Sequence, residues 1–400
     1  MENILLITPL YPIPSPDNNA TDVCHSFAKE WVKCGYNVLV IHLQGVYCFA
    51  WHLLIRMFGK QIANMVGGGN FYPRPIKQTE HYVMDGVPVY RVPVYNLIPH
   101  GRFPERSVQK FTAEVLDILR QNDFTPHVIT GHMLPYEFIP RINKSFGAVT
   151  CLVEHGIPKK IKKRYPDYES LINSYTLFGF RSKDLMRRYQ EEICKVPRPF
   201  ICYSGIPNYF LENLPDISIE YAAKNFIFVG EFIQRKYPST LIPALCEAIP
   251  DKDFSLVFVG EGPERENIEK TALDYGVRDK VRFSGKLPRK QIMELYDRAD
   301  CMIMVSKNEA FGLVYLEAMA RACITVASRG EGMDGVIVDG VNGFLCNAGD
   351  ASELASVIRR VRMMSPEQTE KMCIAAYDTA LELTDRNAAR RYAKILTNDE

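Results

Sequence analysis

Long apolar runs are missing from this chain. No stretch approaches the ~18 uninterrupted apolar residues that a membrane-spanning helix needs, so no span is expected. The opening residues, Met-Glu-Asn-Ile-Leu-Leu-Ile, lack a basic segment followed by a long apolar core, which argues against a secretory leader. The eleven cysteines form no C-x-x-C pair and no cluster with histidine. That argues against a structural zinc site and for reduced thiols in a cytosolic compartment. No Gly-x-Gly-x-x-Gly follows a strand. Gly260-Glu261-Gly262 runs straight into Pro263, which counts against a dinucleotide-dependent enzyme. No Asp-x-Asp stands in a loop suited to a metal-bound diphosphate, and no nucleic-acid-binding motif is recognisable.

A large net charge is missing too, but the balance of +1 conceals an asymmetry. Residues 1–205 hold 24 Lys/Arg and 17 Asp/Glu, or +7; residues 206–400 hold 24 and 30, or −6; the sum is +1. A basic first half suits an anionic surface or a phosphate-bearing substrate.

With 400 residues, 47% of them hydrophobic and 24% charged, the chain is long enough for two ordinary globular domains. Ile4–Ile7, a Pro-rich loop, a helical stretch near Asp22–Lys33, Gly35 and then Val38–Ile41 read as a βαβ unit. His127–Thr130, Val149–Val153 and Pro199–Tyr203 are further strand candidates. The pattern restarts at Asn225–Val229. Strands are then expected at Ser255–Val259, Val281–Phe283, Cys301–Val305 and Ile324–Ala327, with helices between them. The fold class is α/β, with two Rossmann-like, doubly wound domains and a cleft between them. They are expected at 1–205 and 206–384, with a last helix from 385 to 400 packing back on the first. In such sheets ligands sit beyond the carboxyl ends of the strands.

The loop and helix after Cys301–Val305 carry two glutamates, Glu309 and Glu317, around Gly312. A glycine at a helix start lets backbone N–H groups approach a ligand, and the helix dipole favours a phosphate. A carboxylate further into the helix suits vicinal ribose hydroxyls, and one before the helix suits sugar hydroxyls. Spacing alone leaves open that these are two solvated acids flanking an amphipathic helix.

Five motifs occur in order: Val257-Phe258-Val259-Gly260-Glu261-Gly262-Pro263-Glu264, Val281-Arg282-Phe283-Ser284-Gly285-Lys286-Leu287, the Glu309/Glu317 segment, Ser328-Arg329-Gly330-Glu331-Gly332, and Asp339-Gly340-Val341-Asn342-Gly343-Phe344-Leu345. Over residues 225–350 the chain resembles the sugar-donor domain of family-4 glycosyltransferases, which have the GT-B fold. The resemblance implies retaining transfer from a UDP- or GDP-sugar, with no metal or other cofactor required. It implies Glu317 on the ribose and Glu309 on the donor sugar. It also implies backbone at Phe311, Gly312 and Leu313 on sugar and diphosphate, and Gly285, Lys286 and Leu287 around the base. The family's Gly-Arg pair followed by a lysine is Gly230-Glu231 here. Lys236 matches the lysine, and Arg235 is the candidate to replace the missing arginine.

In the first half the family's Gly-Gly loop is replaced by Pro12–Thr21. His132 and His155 follow strands and resemble family positions that line the cleft, with His132 a sugar contact or a base. The implied acceptor is a glycan or lipid-linked oligosaccharide of bacterial polysaccharide synthesis. Val46–Val66, rich in aromatic and aliphatic residues, and the run Lys159–Arg164 are expected to favour a peripheral position on an anionic membrane surface, at the inner face of the plasma membrane. No nucleic-acid partner is expected. Two further readings remain open: a sugar-nucleotide epimerase on the same fold, and a non-catalytic sugar-nucleotide-binding subunit.

Overall fold

The computed structural model describes residues 2–14, 21–47, 76–96, 101–158, 161–214 and 223–398. Val46–Val66 therefore lies largely outside the described residues, as do Ser15–Ala20, Lys159 and Lys160. Two compact units emerge. One comprises Met1–Arg181, Met186–Cys202 and Asp385–Glu400; the other comprises Ser182–Leu185 and Tyr203–Thr384.

The first unit is built on β1 (Asn3–Thr8), α1 (Val23–Lys33), β2 (Asn37–Val46), β3 (Glu80–Met84), β4 (Val87–Tyr95), α2 (Glu105–Gln121), β5 (Val128–His132), α3 (Phe138–Asn143), β6 (Val149–Glu154), α4 (Ile161–Arg164), α5 (Tyr168–Asn173), β7 (Leu177–Phe180), α6 (Lys183–Glu192, which begins in the second unit) and β8 (Pro199–Ile201). Its sheet runs β3-β4-β2-β1-β5-β6-β7-β8. All pairs are parallel except β3 with β4. Ile4–Ile7 is wholly buried, as a parallel strand covered on both faces requires.

Three of these strands are not among the strands the sequence pattern marks. The β3–β4 hairpin closes on Asp85-Gly86, both at positive φ, as a tight two-residue hairpin turn demands. Pro88 and Pro93 interrupt β4, and proline inside a strand argues against a central place in a sheet. Yet β4 is central, between β3 and β2. β7 has four residues, too few to show a period.

The second unit contains β9 (Asn225–Val229), α7 (Leu241–Ala248), β10 (Ser255–Val259), α8 (Arg265–Asp274), β11 (Val281–Gly285), α9 (Arg289–Tyr296), β12 (Cys301–Ile303), α10 (Leu313–Met319), β13 (Ile324–Ser328), β14 (Phe344–Cys346), α11 (Ala351–Arg362) and α12 (Pro366–Glu382). The sheet is parallel throughout, in the order β11-β10-β9-β12-β13-β14. The short strand β14 escapes the sequence pattern. The order reverses between β9 and β12, so the crevice for a ligand opens past their carboxyl ends.

The last helix, α13 (Asp385–Thr397), belongs to the first unit. It packs on α1, where Trp31 Nε1 donates to the carbonyl of Ala389 at 2.9 Å. The Tyr392 ring lies against Phe27, Trp31 and Phe200.

Glycine is obligatory where the strand ends of the second unit converge. Gly260 has φ +136°, and a Cβ there would stand 1.9 Å from the Gly230 carbonyl oxygen. Gly260→Ala is expected to cost about 3 kcal/mol, a fall in Tm of roughly 6–12 °C. Gly156→Ala, where the space around a Cβ is open, should leave Tm unchanged. Differential scanning calorimetry of the two variants checks both.

Candidate active site

The β9–β12 switch point gathers most of the residues singled out above. After β9 the chain turns through Gly230 into the short turn Gln234–Lys236; after β12 it runs through Ser306 to Glu309. The Lys307 N–H donates to the Arg235 carbonyl at 2.7 Å, which ties the two loops together. Glu309 Oε2 then takes Arg235 Nη1 at 3.3 Å and Lys236 Nζ at 3.8 Å. Ser306 Oγ donates to the same oxygen at 3.4 Å.

The two cations are not equivalent. The Arg235 side chain is 43% exposed, whereas that of Lys236 is 14% exposed. Lys236 lies over the bare Gly230, where a Cβ would come within 3.0 Å of Nζ. Burial lowers the lysine pKa; Glu309 opposes that and Arg235 adds to it. Glu231 is exposed and raises the Lys236 pKa, so it acts on this cluster electrostatically. Lys236 is thus a partly desolvated ammonium, and Arg235 is a more solvated guanidinium beside it.

Glu309 is fixed from the other side as well. Its backbone N–H donates to Glu331 Oε2 at 2.9 Å, and its carbonyl accepts from the Gly332 N–H at 3.0 Å. A Cβ on Gly332 would lie 2.5 Å from Phe311, so the bare Gly332 permits this close approach. Phe311 is buried and stacks on Tyr203, with centroids 5.3 Å apart. Gly312 caps α10 at φ +92°, where a Cβ would strike the Tyr315 ring at 2.4 Å. Leu313 opens the helix.

Glu317 lies one turn into α10 and is 3% exposed. Its Oε1 accepts from Arg289 Nε at 2.9 Å and Nη2 at 2.6 Å. Sequence reasoning did not find Arg289, because nothing in Pro288-Arg289-Lys290 separates it from an ordinary surface arginine at a helix start. It begins α9, two residues past Leu287, and so brings the Gly285-Lys286-Leu287 loop beside Glu317. Gly285 has φ +67°, its carbonyl accepts from the Gly260 N–H, and Lys286 is exposed. Burial raises the Glu317 carboxyl, while Arg289 pulls it back toward the ionised form.

The histidines lie elsewhere, in the first unit. His132 ends β5 with 0% exposure, and its ring packs against Phe27, Tyr392 and His155. Its Nδ1 shares a proton with His155 Nε2 at 3.0 Å. Burial and the nearby Arg181 hold the imidazole neutral. Direct contact between His132 and a substrate is therefore closed: the last residue of β5 turns toward α1 and α13. His155, half-buried, is the accessible member of the pair.

Among the described residues no helix is long and apolar enough to cross a membrane, and no three acidic, cysteine or histidine side chains converge as a metal site. Of the basic run, Ile161–Arg164 form the single turn α4, in which Lys162 pairs with Glu169.

Residues 214–378 match the family described as glycosyl transferases group 1. That segment, fewer than half of the residues, is similar to the group 1 glycosyltransferases. The chain is 26% identical over 297 residues to the N-acetyl-alpha-D-glucosaminyl L-malate synthase of Bacillus anthracis, covering 71% of this chain and 73% of that protein. It is 35% identical over 133 residues to the lipopolysaccharide core biosynthesis glycosyltransferase LpsE of Rhizobium meliloti, covering 33% of this chain and 38% of that protein. Among solved structures it is similar to a sucrose-phosphate synthase from Thermosynechococcus elongatus (TM-score 0.70, 15% identity, 100% and 99% of the two chains). It is also similar to Anabaena HepE in complex with UDP (TM-score 0.69, 16% identity, all of both chains). The fold is GT-B. The chain's relatives include a glycosyltransferase of lipopolysaccharide core biosynthesis.

Proposed function

We propose that this glycosyltransferase transfers a sugar, with retention of anomeric configuration, from a UDP- or GDP-sugar to a glycan or lipid-linked acceptor in bacterial polysaccharide synthesis. The observation that carries the reading is the pair of carboxylates at one switch point, each held by its own cation: Glu309 by Lys236 and Arg235, Glu317 by Arg289. Glu317 accepts from the ribose hydroxyls, and the Gly285–Leu287 loop beside it covers the base. The diphosphate lies along Lys236 and Arg235, toward Gly312 and Leu313. Arg235 offsets the acid at Glu231 by offering a guanidinium that grips phosphate oxygens in pairs. Glu309 faces the donor sugar. HepE, which shares the fold and was solved in complex with UDP, favours a uridine donor.

In the transfer step, the bond from the anomeric carbon to the diphosphate oxygen breaks as the bond to the acceptor hydroxyl oxygen forms on the same face. The acceptor proton passes to the departing diphosphate oxygen. Lys236 stabilises the charge that develops there. This assignment needs no base from His132. Peripheral attachment to anionic lipid remains part of the proposal, resting on the exposed cations of α4.

The test is a thermal-shift screen of UDP-, GDP- and dTDP-sugars, followed by NMR of the reaction product. Stabilisation by one nucleotide series and an α-linked product from an α-linked donor are expected. An inverted product overturns the retaining assignment. Turnover of the sugar nucleotide alone, with epimerisation and no acceptor, replaces transfer by epimerisation. Binding without turnover leaves a non-catalytic subunit.

A further inference from the structure

A second cavity lies within the first unit, past the carboxyl ends of β1, β2, β5 and β6. Its volume is about 300 Å³. Tyr47, Phe103, Tyr136 and Tyr165 give it aromatic walls, and Glu154 and Arg164 are its charged lining residues. Glu154 is the last residue of β6 and 7% exposed. One of its oxygens accepts from the Tyr136 hydroxyl at 2.6 Å; the other has no donor among the described residues. Tyr136 stands edge-on to Tyr165 in the wall and to Tyr168 behind it, at 5.5 and 4.8 Å.

The buried carboxyl of this lining is Glu154. Glu137, a buried carboxyl outside the lining, acts on the Tyr165 hydroxyl. Arg164 is exposed, so solvent and salt screen it. Arg102, stacked over Tyr165, is occupied by both carboxylate oxygens of Asp167. Burial pushes the Glu154 carboxyl up to about 7, and the bond from Tyr136 draws it down. An anion brought against it would meet a like charge in a weakly screening site. A hydrocarbon would strand a polar group that has lost its water. Hydroxyl groups satisfy both demands: they donate to the open carboxylate oxygen, and the C–H faces of a hydroxylated ring lie on aromatic walls.

We infer that this cavity is the acceptor subsite and that it selects an uncharged, hydroxyl-rich ring, a sugar or cyclitol unit, over anionic acceptors, with Glu154 accepting from its hydroxyls. The inference rests on the proposed transferase function, and its test separates the two. Saturation-transfer NMR on the whole chain at about pH 8, where Glu154 is ionised, would use methyl α-D-glucopyranoside and myo-inositol as neutral probes. L-Malate and myo-inositol 1-phosphate would serve as anionic probes, and UDP as the donor-side control.

The neutral probes should bind at least about tenfold more tightly than the anionic ones, and Glu154→Gln should weaken them by about tenfold while leaving UDP binding unchanged. If that variant fails to fold, Tyr47→Ala tests the same cavity and should weaken the neutral probes at least about threefold through the loss of a stacked ring. No binding of the neutral probes, tighter binding of the anions, or unchanged neutral binding in the Glu154→Gln variant overturns the inference. Failure of UDP and the other nucleotides to bind, with the neutral probes still bound, overturns the donor reading instead.

Discussion

Lys236→Ala is expected to lower kcat by about 10²–10³-fold, the loss seen when one preorganised charge facing a developing oxyanion is removed. The expectation follows from burial. Lys236 is held half out of water between Gly230 and Glu309, so its charge acts through a weakly screening medium. Arg235→Ala should cost less, about tenfold, because its guanidinium is largely solvated and its pairing with Glu309 is of the surface kind. Lys236→Arg should recover part of the activity. Steady-state kinetics with the best donor from the screen measures all three. A kcat for Lys236→Ala within threefold of wild type would remove the lysine from the phosphate site. Thermal stability should barely change, since the lysine is itself desolvated at a cost.

The second large effect is at Glu317. Glu317→Ala should weaken UDP or GDP binding at least about 100-fold, because in the proposed function Glu317 accepts two charge-assisted hydrogen bonds from the ribose. It should also destabilise the fold by about 1 kcal/mol, since the hydrogen bonds from Arg289 to the carboxylate are lost. Glu317→Gln separates the two effects by keeping shape and polarity while removing charge. Calorimetric titration of the nucleotide into a folded Glu317→Gln protein should still show a loss of tenfold or more; affinity within threefold of wild type would defeat the ribose assignment.

The pH dependence has a definite sign. Burial raises this carboxyl, so nucleotide affinity should fall, as pH drops, at a pH above the ordinary glutamate range. Arg289→Met removes the opposing charge and should move that fall to still higher pH.

Much of this protein is legible along the chain. The strands β9 and β10 are uninterrupted apolar runs ending in glycine, and their bounds follow directly from Asn225–Val229 and Ser255–Val259. The motifs of the donor half are local, because each glycine serves a strand end or helix start within a few residues of it. Glu309, Glu317, Gly312 and Lys236 are visible for that reason. The strands β3, β4, β7 and β14 are not, since proline, short length or two-sided burial erases the period on which strand reading depends.

Tertiary structure alone decided which charges meet. Arg289 and Glu317 are 28 positions apart, and Arg235 and Glu309 are 74 apart; no spacing rule links either pair. It also decided that His132, which follows the expected strand, is sealed behind Phe27 and Tyr392, because the last turn of β5 faces the helix that returns from the C-terminus. It likewise closed Tyr136 onto Glu154 in a cavity that the sequence does not mark. The sequence by itself determined the alternation of buried strands and helices and the residues at each strand's carboxyl end, because those depend on local periodicity and backbone freedom. Only packing decided which of those residues are buried, which are charged and which share a site. Burial and charge pairing depend on neighbours that the chain brings together from far apart.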